Sequence, residues 1–171
     1  RDSQKIDISY ALEWALAKGT RIINLSLGYN RKERLGRAPS YENDDDVESL
    51  IYEPRRYWTN EMRRLIKKYG DFLIVQGAGN ENINAEWNGL FCAVNDEELK
   101  KRIIVVGSMT ETLEGYIPGG HSYRKARHSN YGSVVDIMAP GVSVYSTSYY
   151  EPYIGNIQGT SIAAPFVTGV A

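Results

Sequence analysis

Residues 72–75 and 103–106 are apolar at every position. A strand with one face in water alternates apolar and polar side chains. A run that is apolar throughout is buried on both faces, as in a parallel sheet with helices on each side. Helices of the right kind flank these runs. Ile8, Ala11, Leu12, Ala15 and Leu16 recur at i, i+3, i+4, i+7 and i+8, with Lys18 and Gly19 at the stop. Trp58, Met62, Leu65, Ile66 and Tyr69 mark a second helix, for which Pro54 suits the first turn and Gly70 the end. Stretches 21–27 and 134–138 read as further strands, and 162–171 as a last helix. The pattern predicts an α/β fold of three layers, a mostly parallel sheet flanked by helices. At 171 residues the chain matches about one domain of ~150 residues.

The stretch 29–56 breaks this rhythm. Arg31, Lys32, Arg34 and Arg37 precede Glu42, Asp44, Asp45, Asp46 and Glu48, which reads as a solvated surface insertion. Three adjacent aspartates lack the spaced oxygens and turn glycine of a calcium loop, so no metal site is expected. Net charge is −1, which leaves no global footprint for nucleic acid. One cysteine, Cys92, allows no internal disulfide. No apolar run approaches the ~18 residues of a membrane span.

In open parallel sheets, ligands gather beyond the carboxyl ends of the strands. The first strand runs into Ser26, Leu27 and Gly28, and the second into Gly77, Ala78, Gly79 and Asn80. Gly159, Thr160 and Ser161 open the last helix. A serine at a helix N-terminus sits among free N–H groups and positive dipole, which suits a nucleophile whose attack creates an oxyanion. By itself, Ser161 also fits a plain helix cap. Asn80 supplies a side-chain amide donor just past a strand end, a group that can hold an oxyanion. By itself, Gly-Asn also fits a turn. Residues 77–82 resemble a dinucleotide loop too, but Asn82 stands at the third glycine.

Together these segments resemble the subtilisin-like serine proteases, the subtilases. The sequence 159–169 (GTSIAAPFVTG) is similar to the family's nucleophile motif. Ala139, Pro140, Gly141 and Val142, with Ser146 and Thr147, resemble the segment before it. Residues 74–81 resemble the strand and oxyanion asparagine, and 23–28 the strand lining the substrate cleft. The resemblance implies that Ser161 is the acylated nucleophile and Asn80 the oxyanion donor. It implies that Ser26, Leu27 and Gly28 bind substrate backbone as an added strand. Gly77, Ala78 and Gly79 would line the pocket for the side chain before the scissile bond. Ile162 and Phe166 depart from the family's usual Met and His, neither of which is the base.

The resemblance implies a serine endopeptidase acting on peptides or proteins, with no cofactor needed for the chemistry. It implies a secreted or cell-envelope protein. Structural calcium finds no supporting pattern in this chain. The family order is Asp, His, Ser, and nothing among the first 20 residues matches the Asp or the His. The expectation is therefore a partial catalytic domain, 1–171, incomplete at both ends, with Asp and His on a missing upstream segment and no activity alone. His121, Asp136 and Ser161 follow the order of chymotrypsin-like proteases, but helical periodicity contradicts that β-barrel class. A subtilase-like module that only binds extended peptides, or a structural remnant, are the competing readings.

Overall fold

The computed structural model describes residues 3–28, 45–112, 121–147 and 154–171. In chain order the elements are α1 (Ser3–Ala17), β1 (Ile22–Leu25), α2 (Asp45–Tyr69), β2 (Leu73–Gly77), α3 (Glu97–Lys100) and β3 (Ile103–Thr112). They continue with β4 (Ser122–Lys125), β5 (Ile137–Pro140), β6 (Val144–Ser146), β7 (Ile154–Ile157) and α4 (Thr160–Thr168). Two 3-10 turns, Ala85–Asn88 and Leu90–Ala93, follow β2.

The main sheet is parallel from β1 to β2 to β3, and β5 also pairs with β3 in parallel. The far half of β3 pairs with β4 antiparallel. Alternate residues of β2 face opposite layers. Ile74 packs into the core under α1 and α2, with Leu12, Leu16, Trp58, Met62 and Leu65. Val75 packs the other way, with Val106, Ala139 and the α4 residues Ala163 and Ala164. Both Ile74 and Val75 are fully buried. The architecture is thus the expected α/β arrangement: helices, sheet, helix.

Several expectations need correction. The 29–56 insertion does not extend to 56, because α2 begins at Asp45. Pro54 lies inside that helix, not in its first turn. Ile51, one turn earlier, is only 1% exposed and packs near Ala93 and Trp87. Burial of this extended face offsets the ~3 kcal/mol cost of an interior proline. Residues 29–44, and the side chains of 45–50, lie outside the described residues. The strand expected at 134–138 starts instead at Ile137. Just before it, the Asp136 carboxylate accepts from Val105 N–H at 2.7 Å, occupying a ladder donor. Strand β1 is an edge strand among the described residues, and Ile22 is 38% exposed.

Charge joins α1 to α2. Arg64, Lys68 and Tyr69 donate to the Glu13 carboxylate, holding its pKa at about 2 against an ordinary 4.5. A pKa lowered on folding stabilises the fold above the unfolded value, and that contribution is lost as pH falls from 4.5 toward 2. The denaturant midpoint should therefore drop more between about pH 6 and pH 3 in the native protein than in Glu13→Gln. Equal drops would contradict this pairing.

Candidate functional site

Parallel pairing puts the carboxyl ends of β1 and β2 at one edge of the sheet. Helix α4 packs across β1, β2, β3 and β5 with its N-terminus at that edge. A pocket of about 170 Å³ opens there. Ser26, Leu27, Gly28, Gly77, Gly79, Asn80 and Ser161 all line it, so the structure brings together residues drawn from three separate sequence segments. Ala78 does not line it. Its side chain is fully buried in the core.

The start of α4 is fixed by side chains. Thr160 is 2% exposed, and its N–H donates to Asn80 Oδ1 at 2.8 Å. Its hydroxyl donates to the same oxygen at 3.2 Å and accepts from Gly79 N–H at 3.0 Å. With Oδ1 so held, the orientation of the Asn80 amide is set, and among the described residues Nδ2 has no acceptor. The Ser161 N–H likewise has none. Gly159 has φ 142°, a conformation side chains avoid, and a Cβ there would stand 3.0 Å from Ser161 Oγ and 3.7 Å from Asn80 Nδ2. Two free N–H donors and the positive end of a nine-residue helix thus surround the Ser161 hydroxyl. That arrangement can stabilise negative charge developing on an oxygen beside it. Ser26 secures the same turn, its hydroxyl donating to Ser161 C=O at 2.9 Å.

Three polar side chains that frame this edge have no motif of their own. Asn130 is fully buried. Its Oδ1 accepts from the N–H groups of Glu81 and Ile83, and its Nδ2 donates to Ala78 C=O and to the Glu81 carboxylate. All its hydrogen-bonding capacity is spent shaping the loop after β2. Gly79, at φ 104°, would drive a Cβ to 2.3 Å from Asn130 Nδ2, so this loop requires glycine. Gln76 is buried too, and its Oε1 accepts from Phe91 N–H at 2.9 Å. Asn88 is 2% exposed and donates to Gly77 C=O at 3.1 Å. Behind it, burial pushes the Cys92 thiol up to about 12, so it is unreactive.

The histidines lie elsewhere. His121 Nδ1 meets the Glu111 carboxylate at 2.6 Å, and its ring stacks on Tyr123. His128 is half-buried, and burial together with the Lys125 charge lowers its pKa. Neither lines the pocket, and among the described residues no side chain hydrogen-bonds the Ser161 hydroxyl. No group of three or more His, Cys, Asp or Glu able to hold a metal occurs among the described residues. No described helix is long and apolar enough to cross a membrane.

Comparison with known proteins matches residues 1–171 to the model of the subtilase family of peptidases. Subtilisin DY of Bacillus licheniformis is 27% identical over 161 residues, covering 94% of this chain and 44% of the relative. An alkaline proteinase of Hapsidospora chrysogena is 38% identical over 99 residues, covering 57% of this chain and 20% of the relative. A cold-adapted subtilisin-like serine proteinase superimposes with a TM-score of 0.60 at 24% identity, covering 95% of this chain and 45% of that one. The chain therefore spans less than half the length of these relatives.

Proposed function

The chain belongs to the subtilase family, and from that premise we propose that it carries the nucleophile and oxyanion-binding part of a serine endopeptidase. Ser161 Oγ attacks the carbonyl carbon of a peptide bond and gives its proton to a base. The carbonyl oxygen becomes an oxyanion that accepts from Asn80 Nδ2 and Ser161 N–H. Collapse breaks the C–N bond, and the leaving amine takes the proton back from the base. Water then hydrolyses the acyl-serine by the same route. Extended substrate pairs with the backbone of Ser26, Leu27 and Gly28, which extend past edge strand β1, and Gly77 and Gly79 line the facing side. The base and its orienting carboxylate come from chain outside these 171 residues, so these residues alone are inactive. His121 is paired with Glu111, and neither it nor His128 lines the pocket, which supports that assignment.

The observation that carries this reading is the anchoring of Asn80 by Thr160 beside a serine with no other task. A fluorophosphonate probe tests it on the full-length protein. The expected result is one adduct, on the peptide containing Ser161, and loss of casein hydrolysis in step with labelling. Hydrolysis that persists in the fully labelled protein would overturn the proposal. Peptide binding without labelling or hydrolysis would instead identify a binding module.

A further inference from the structure

The loop that carries Asn80 is tied along its length to the turn at 128–131. Asn130 N–H donates to Gly79 C=O at 3.0 Å, Asn82 N–H to His128 C=O at 2.9 Å, and Tyr131 N–H to Ile83 C=O at 3.0 Å. Asn130 Oδ1 accepts from the N–H groups of Glu81 and Ile83. The loop needs this hold because its backbone is strained. Gly79 has φ 104° and Asn82 has φ 55°, and the second is a left-handed conformation uncommon for any residue with a side chain. Such conformations persist only where the surrounding structure over-determines them.

One side chain completes the hold on Asn82, and it is a cation. Lys125 Nζ donates to Asn82 Oδ1 at 2.8 Å, to Ser129 C=O at 2.8 Å and to Ala126 C=O at 3.1 Å. An ammonium has three N–H donors, and all three are used. The Tyr131 ring centroid lies 5.5 Å from Nζ, within cation–π range. Burial lowers the Lys125 pKa and no carboxylate raises it, so neutral groups alone surround this charge. Asn82 Oδ1 accepts from no other group among the described residues. The ammonium thus ties the left-handed residue to the turn through a charge-assisted bond, about twice as strong as a neutral one. Lys125 does not line the pocket.

We infer that Lys125 is a positioning residue of the proposed reaction: its ammonium holds Asn82 left-handed and so keeps the Asn80 amide at the oxyanion site beside Ser161. This rests on the proposed peptidase reading, since Asn80 meets an oxyanion only if Ser161 attacks a carbonyl. Lys125 touches no substrate and moves no proton. Thr160 fixes the oxygen of the Asn80 amide, and Lys125 fixes the backbone from which that amide projects. Without the ammonium, Asn82 relaxes toward an ordinary conformation and the chain at 80–82 turns with it. A displacement of about 1 Å at a reacting centre can cost ~10² in rate. The loss falls on kcat, because the oxyanion forms only after binding.

The test is steady-state hydrolysis of one peptide by full-length Lys125 variants. Lys125→Met keeps most of the stem and removes the ammonium. It should lower kcat by roughly tenfold to 10²-fold while KM stays within about threefold. In an Asn80→Ala background the same change should cost less than about threefold, because the group it positions is gone. A side chain that only stabilised the fold would lower the melting temperature and leave this split unmade. Lys125→Ala leaves a gap of the length of propylammonium, and Lys125 is exposed, so that ion can enter from solvent. Added propylammonium should recover kcat in Lys125→Ala and not in Asn80→Ala. Should Lys125→Met fail to fold, Asn82→Ala cuts the same bond from its other end and should lower kcat in the same way. Native kcat in the variant that folds, a change in KM alone, equal losses in both backgrounds, or no recovery with propylammonium overturns the inference. With Ser161 labelled and peptide cleaved by the native protein, the peptidase reading then still stands. A native protein that neither labels nor cleaves overturns both.

Discussion

Ser161→Ala is expected to lower kcat of the full-length protein by about 10⁶-fold, the loss seen when the nucleophile of a subtilisin is removed. The size follows from the mechanism. Without Oγ no acyl-enzyme forms, and direct attack by water must replace two easier steps by one difficult step. A residual rate about 10³–10⁴ above the uncatalysed reaction should survive, because Asn80 Nδ2 and the backbone N–H at 161 still meet an oxyanion. Stability should change little, since no hydrogen bond to the Ser161 hydroxyl exists among the described residues. Steady-state hydrolysis with active-site titration measures the loss. A variant that keeps a tenth of native kcat would remove Ser161 from the reaction.

Asn80 has two tasks at its two ends, and separate substitutions distinguish them. Nδ2 faces the oxyanion, which exists only after attack, so its loss acts on kcat more than on KM. Asn80→Ala should reduce kcat by roughly 10²–10³-fold, a magnitude known from a subtilisin, itself a member of this family. The same variant also strips Thr160 N–H of its acceptor at 2.8 Å. Leaving that partly buried donor unpaired should cost about 1–3 kcal/mol of stability. Asn80→Asp keeps an oxygen for Thr160 and loses the amide donor. It should recover stability without recovering kcat. Denaturation midpoints and kcat of both variants check this, and a rise in KM at unchanged kcat would assign Asn80 to substrate binding instead.

The all-apolar runs at 72–75 and 103–106 were enough to predict covered parallel strands, and Ile74 and Val75 indeed bury opposite faces of one sheet. The segments at 26–28 and 77–80 point to one edge because parallel strands share a carboxyl edge, and the helix start at 159–161 meets them in one pocket. Asn88 and Asn130 were not legible. Each acts by reaching a backbone group remote in sequence: Asn130 bonds Ala78, 52 residues away, and no local spacing signals such a contact. Pro54 misled for a related reason, since tertiary burial of Ile51 outweighed a local breaker. Strand β4 (Ser122–Lys125) is mostly exposed, held by its pairing with β3 rather than by an apolar pattern. The β6–β7 hairpin likewise carries too few apolar residues to stand out.

The central claim is that a peptide acyl group passes through Ser161. Mixing the full-length protein with excess p-nitrophenyl ester and quenching in acid within milliseconds addresses it directly. The account predicts a burst of one equivalent of nitrophenol per active site, and mass spectrometry of the quenched protein should find the acyl group on the peptide holding Ser161. A linear release with no burst and no adduct, or an adduct on any other residue, would contradict it.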